Sequence, residues 1–165
     1  MINIFTQSQQ TYLNYINSHY PDAISYIQGN KNFPNIEGKV EFYKINKGVL
    51  VLTEIKGLPQ ENETGEFFAM HIHNGDNCNQ DADGNFENTG HLNPENKNHP
   101  NHMGDLPVIL SNDGYAYSIN LTNRFNILDI IGKTVMIHQN ADDFRTNPSG
   151  NSGTKIACGV IVKKC

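Results

Sequence analysis

Glu66-Phe67-Phe68-Ala69-Met70-His71-Ile72-His73 is the run that decides the fold class. Its aromatic and apolar content favours a strand. Side chains two apart on a strand share a face, with Cα atoms about 6.5 to 7 Å apart, so His71 and His73 can turn both imidazoles onto one ion at about 2.0 Å. Four more of the chain's seven histidines follow, at His91, His99, His102 and His138, with Asp105 closing the first group. These six imidazoles and one carboxylate are enough for two metal ions. The stretch from His91 to Asp105 is rich in Asn, Pro, Gly and Asp, which reads as a loop able to wrap a metal. His99-x2-His102-x2-Asp105 is a borderline-soft set that suits zinc better than calcium or magnesium. His91 then completes that site, joins His71 and His73, or bridges the two. His19, far from the others, reads as an ordinary surface or core residue.

Outward from this run the chain reads as eight short strands, at 24–28, 39–45, 49–56, 66–73, 86–89, 115–121, 133–139 and 156–162, separated by turn signals. Asn46-Lys47-Gly48 and Asn112-Asp113-Gly114 supply hairpin chemistry. Eight strands without a long helical pattern predict an all-β, antiparallel sandwich or barrel. Ahead of them, 10–20 carries apolar side chains at Tyr12, Leu13, Tyr15 and Ile16, and reads either as a short helix packing on the barrel or as a mobile tail. Residues 1–21 are thus expected as an N-terminal extension and 22–165 as one domain, with no internal repeat. The two long insertions, 74–105 and 139–154, hold most of the candidate ligands or their supports, as functional loops in compact domains usually do. Asn79-x-Asp81-x-Asp83-Gly84 resembles the start of a calcium loop, but Gly90 stands where the bidentate Glu belongs, so it reads as a turn. No phosphate loop, nucleophile elbow or HExxH motif competes.

Length and composition are compatible with this picture. At 165 residues and 37% hydrophobic content the chain is long enough for one domain with a real core. A net charge of -5 argues against a nucleic-acid partner. No run of 18 apolar residues occurs, so no membrane span is expected. Met1 to Gln7 lacks the basic start and apolar core of a secretory signal, which makes a cytoplasmic location the default expectation. An extracellular or a cell- or spore-surface location is the alternative expectation.

The order of these residues resembles the copper/zinc superoxide dismutase family over roughly residues 22 to 162. The matching strings are Met70-His71-Ile72-His73, Gly90-His91-Leu92-Asn93-Pro94, His102-Met103-Gly104-Asp105-Leu106-Pro107, Ile137-His138, Ala141-Asp142-Asp143, and the run from Gly150 through Lys155 and Cys158 to Val160. The resemblance implies an eight-stranded Greek-key β-sandwich or barrel with two long functional loops. It also implies copper on His71, His73, His91 and His138, zinc on His91, His99, His102 and Asp105, and His91 as the bridge and proton relay. Asp142 matches the family's carboxylate that accepts hydrogen bonds from one copper histidine and one zinc histidine, and Cys78 and Cys158 match its intrasubunit disulfide. Cys165 has no partner in the family pattern. The implied activity is dismutation of superoxide to dioxygen and hydrogen peroxide, and a homodimer is the candidate assembly. The rival expectation is a non-catalytic metal store, delivery module or coat-like member of the same fold, or a zinc-only protein.

Three departures qualify the likeness to the animal-type pattern. Only Pro100 and Asn101 separate His99 from His102, which compresses the zinc loop. Lys155 stands where an arginine usually guides the anion, keeping the charge but losing the planar fork. Residues 74 to 105 hold six acids against Lys97, and 139–154 is short and carries Asp142, Asp143 and Arg145, so steering of superoxide is expected to be weak.

Overall fold

The computed structural model describes residues 4–60, 65–87 and 89–164, with side chains of the first helix described from Thr11 onward. Its elements are α1 (Ile4–Ser18), β1 (Ala23–Gly29), β2 (Glu37–Ile45), β3 (Gly48–Lys56), β4 (Phe67–Phe68), β5 (Met70–His73), β6 (Ile109–Asn112), β7 (Tyr115–Thr122), α2 (Ile127–Ile130), β8 (Thr134–His138) and β9 (Lys155–Lys163). The strands form an antiparallel sheet in the order β4-β6-β7-β3-β2-β1-β9-β8-β5. The long-range pairings β3 with β7 and β1 with β9 are the crossings of a Greek key.

β4 and β5 stand at opposite ends of that order, yet only Ala69 separates them in the chain. The buried Ala69 donates its N–H to Asn140 O and accepts from His138 N–H. One side of the break pairs with β6 and the other with β8, so the sheet comes back on itself as a nearly closed barrel. The single strand expected at 66–73 is therefore cut at Ala69, where the backbone changes partner. Two further expectations are corrected. β6, absent from the sequence reading, is held by the tight turn at Asp113 and Gly114, both with positive φ (52° and 80°). The strand expected at 86–89 is a single bridge from Phe86 to Gln80, because Phe86 packs onto Met136 and the Cys78–Cys158 pair. Among the described residues nine strands replace the expected eight.

The alternation of side chains puts Met70 and Ile72 of β5, and Val135 and Ile137 of β8, into the core with Phe42, Phe68 and Ile156. By the same period of two, His71, His73 and His138 point out of the barrel. They are nonetheless buried, with at most 2% exposure, because the long loops cover that face.

β3 is buried on both faces, which the second hydrophobic cluster explains. Tyr12, Tyr15 and Ile16 of α1 pack over Tyr43, Leu50 and Leu52, and Tyr15 Oη donates to Lys44 O at 3.1 Å. The helix begins earlier than 10 and lies on the barrel. Cys78 and Cys158 are joined, with Cα atoms 5.7 Å apart and a separation of 80 positions in sequence. Closing a loop of that length constrains the unfolded chain by about 4 kcal/mol. Cys165 lies outside the described residues.

Candidate metal centre

β5 is gripped on both edges. β8 pairs with one edge, and the other receives the 90–105 segment, with Leu92 N–H donating to Ile72 O and Ile72 N–H donating to Gly104 O, each at 2.8 Å. This close approach requires glycine at 104, since a Cβ there would strike Ile72 O. The result sets His91 beside His73, and Asp105 beside His71, as isolated antiparallel bridges.

Two groups of ligand atoms follow. His71, His73, His91 and His138 form one; His91, His99, His102 and Asp105 form the other; within each, the ligand atoms lie within 4.8 Å of one another. His91 belongs to both. All the candidate ligands named from the sequence are brought together here.

The hydrogen bonds decide which nitrogen each ring can offer. A carboxylate or carbonyl oxygen outside the groups of candidate ligand atoms only accepts, so the ring nitrogen against it carries the proton and the other nitrogen keeps its lone pair. Asp142 takes His71 Nε2 at 2.7 Å with one oxygen and His99 Nε2 at 2.8 Å with the other. Thr89 O lies 2.6 Å from His73 Nδ1. His138 Nδ1 faces Gly153 O at 3.3 Å and Ser152 Oγ at 3.2 Å. The freed atoms are His71 Nδ1, His99 Nδ1, His73 Nε2 and His138 Nε2.

Those free atoms have nowhere else to go. His71 Nδ1 and His91 Nε2 are buried without a hydrogen-bond partner, and His99 Nδ1 meets only Asp105 Oδ2, at 3.2 Å and without hydrogen-bond geometry. His73 Nε2 and His138 Nε2 face each other at 3.1 Å, lone pair against lone pair. A shared proton or a cation relieves such an arrangement, and burial works against the proton. Desolvation, helped by the neighbouring rings, holds His73 and His138 well below the ordinary histidine value, and desolvation also lowers His71. Neutral imidazoles converging in a buried pocket are the donor set a divalent transition metal requires.

The carboxylates are arranged for the opposite state. Burial raises Asp105, but hydrogen bonds from His91 and the His102 backbone outweigh it and leave the carboxyl at about 2. Burial likewise opposes ionisation of Asp142, and the His71, Phe144 N–H and His99 hydrogen bonds overcome it. Asp105 Oδ1 lies 2.7 Å from His91 Nδ1 and 3.2 Å from His102 Nδ1, and Asp105 Oδ2 lies 3.2 Å from His99 Nδ1 and accepts His102 N–H at 2.9 Å; the ring contacts fall within one group of ligand atoms, where a cation would replace a proton between them.

Around this centre the structure adds Asn147 and the close packing of Gly150, which the sequence did not single out, and places Lys155, Asp143 and the Asn79–Gly84 segment, which it did. Asn147 Oδ1 accepts His99 N–H at 2.7 Å and so ties one long loop to the other. Gly150 sits at φ 65° directly against Asp142. Lys155 Nζ donates to Glu87 O at 3.0 Å and to Thr89 O at 3.2 Å, the latter being the carbonyl that holds His73. Burial lowers the Lys155 pKa. Asp143 holds its own loop, accepting from Arg145 N–H, Thr146 N–H and Oγ1, and Asn151 Nδ2. The Asn79–Gly84 segment is a turn, with Asp81 Oδ1 accepting from Asp83 N–H and Asn85 N–H.

Residues 36–161 match the family model described as copper/zinc superoxide dismutase. The chain is 34% identical over 140 residues to superoxide dismutase (Cu-Zn) 2 of Aquifex aeolicus, covering 75% of this chain and 78% of that one. It is 33% identical over 132 residues to superoxide dismutase (Cu-Zn) of Legionella pneumophila, covering 75% and 76%. Among solved structures, a double mutant of a superoxide dismutase-like protein from Bacillus subtilis superposes with a TM-score of 0.71 at 30% identity, covering 88% of this chain and 99% of that one.

Proposed function

The chain belongs to the copper/zinc superoxide dismutase family, and from that premise we propose that it converts superoxide to dioxygen and hydrogen peroxide. In this reading His71, His73, His91 and His138 hold copper, and His91, His99, His102 and Asp105 hold zinc. The observation that carries it is the convergence of buried, bare ring nitrogens on His71, His73, His99 and His138, whose other ring nitrogens are already engaged. Copper, when bound, supplies a one-electron cycle in which one superoxide yields dioxygen and a second, with that electron and two protons, yields hydrogen peroxide.

The residues have separate tasks. His91 has Nδ1 against Asp105 and leaves Nε2 to the four-histidine side, so Nε2 is the atom that takes up a proton in one half-cycle and returns it in the other. Asp142 holds one ring of each site and fixes both tautomers, which sets ring direction and basicity. Lys155 stands beside His73 through their shared carbonyl and presents a positive charge to an approaching anion.

The competing reading is a metal-binding member without turnover; one relative, from Bacillus subtilis, is named only superoxide dismutase-like. Metal analysis alongside a dismutation assay after copper loading separates the two. One copper and one zinc per chain with rapid turnover is the expected result. Two bound metals without turnover would support the metal-binding reading, and a single metal would break the two-site assignment.

A further inference from the structure

We propose that Arg124 is a positioning residue for the zinc side of the centre, holding the compressed His99-Pro100-Asn101-His102 turn from outside. The inference rests on the zinc assignment above and adds a residue to it. Arg124 lies between β7 and α2, more than twenty positions from the turn in sequence. Its Nη1 donates to Pro100 O at 2.8 Å and to His102 O at 2.9 Å. One guanidinium nitrogen carries two hydrogens in a plane, so it can satisfy both carbonyls at once, and the next residue, Phe125, is buried against Phe42 and anchors the arginine to the barrel.

The need for such a clamp follows from how the two sites are built. His71, His73 and His138 ride on β5 and β8, whose ladders position them. His99 and His102 ride on a loop. The neighbouring 104–105 segment is tied to β5, and His99 N–H is tied to Asn147, but between them the chain must turn within two residues. The His102 carbonyl belongs to the peptide that leaves the ligand residue, so fixing it fixes the direction in which the His102 side chain departs. Arg124 thus acts on the ligand through the backbone and touches no metal.

The sign of the effect separates this role from a purely electrostatic one. A guanidinium that acted only through its charge would repel a zinc ion, and removing it would tighten binding. A clamp has the opposite sign. Arg124→Ala is therefore expected to weaken zinc binding by roughly ten- to a hundred-fold, the range for groups that orient a ligand from outside. Arg124→Lys, which keeps the charge and one donor, is expected to recover part of the loss.

The test uses the full chain with its disulfide intact, stripped of metal. Zinc affinity is measured by chelator competition, copper affinity is measured the same way in zinc-free protein, and cobalt(II) is placed in the zinc site to read its geometry from the visible spectrum. Expected are a zinc Kd raised at least tenfold, a copper Kd within twofold of the parent, an altered cobalt spectrum, and an unchanged unfolding midpoint for the metal-free protein. A zinc Kd within twofold of the parent, tighter zinc binding, or equal losses of zinc, copper and apo stability would each overturn the inference. Failure of the parent protein to take up zinc at all would overturn the two-metal reading and this inference with it, whereas zinc binding indifferent to Arg124→Ala overturns the inference alone.

Discussion

Gly150→Ala is a one-methyl change that should damage both metal sites without removing any ligand. Gly150 sits at φ 65°, where an L side chain is strained by about 1 to 2 kcal/mol. The new Cβ would overlap Asp142 Oδ1, lie 2.6 Å from its Cγ, and lie 2.9 Å from His99 Nε2. Asp142 is 4% exposed and is held by the hydrogen bonds from His71, His99 and the Phe144 N–H, so it has no free direction in which to retreat. Displacing it leaves buried polar groups unmatched, at a cost of about 1 to 3 kcal/mol. The metal-free protein should therefore lose about 2 to 5 kcal/mol, a large part of a typical domain's 5 to 15 kcal/mol. Copper and zinc should both bind roughly ten- to a hundred-fold more weakly. Denaturant unfolding of the apo protein reads the first quantity and chelator competition the second. Asp142→Ala supplies the control through a double-mutant cycle. If Gly150 acts through Asp142, adding Gly150→Ala to Asp142→Ala should cost little further metal affinity, because the group it displaces is already gone. Fully additive losses, or metal affinities in Gly150→Ala within twofold of the parent, would refute the reasoning.

Other outcomes follow from the same geometry. Asp105→Ala should weaken zinc before copper, and His91→Ala should uncouple the sites, so that copper spectra no longer respond to zinc; spectra already identical with and without zinc in the parent would exclude the bridge. Lys155→Glu in fully copper-loaded protein should slow dismutation at low salt, by about tenfold for about 1.4 kcal/mol of lost attraction, with the penalty shrinking at 0.15 M salt, where screening falls to about 8 Å, and with Lys155→Arg keeping the rate. Equal rates for Lys155→Glu and parent at low salt would remove Lys155 from substrate guidance. Acid should destabilise the metal-free protein in two stages. His71, His73 and His138 have lowered folded pKa values, so below about 6.5 the unfolded chain binds more protons and stability falls. Asp105, at about 2, and the lowered Asp142 then lose their contribution as pH drops from about 4 towards their folded values. Urea titrations of the apo protein showing flat stability between pH 7.5 and 5 would contradict the neutral burial of those rings.

The ligand order was legible in the sequence for a local reason. A strand repeats every two residues, so His71-x-His73 must share a face wherever the strand goes, and Asn, Pro and Gly around His91 to Asp105 mark a loop in any context. Most strands were legible on the same ground, and their boundaries moved by a residue or two. Composition and resemblance together supplied the choice of metals and the role of Asp142, because a bare carboxylate in Ala141-Asp142-Asp143 looks like any loop acid until something names its partners.

The rest depended on contacts between residues far apart, where local periodicity carries no signal. The cut at Ala69 arises because one apolar run serves both ends of a closing sheet, and nothing in Phe68-Ala69-Met70 announces a change of partner. The double-sided burial of β3 exists because α1 lies across Leu50 and Leu52. Which nitrogen His71, His73, His99 and His138 offer was settled by Asp142, Thr89, Ser152 and Gly153, groups brought in from other loops. Gly150 and Arg124 owe their importance to distances of a few ångströms across the fold, between positions that the chain holds 8 and 22 residues or more apart. The sequence by itself determined which side chains can bind metal and in what order they come; the tertiary structure alone decided which of their atoms are left free to do so, because hydrogen-bond partners are set by proximity in space.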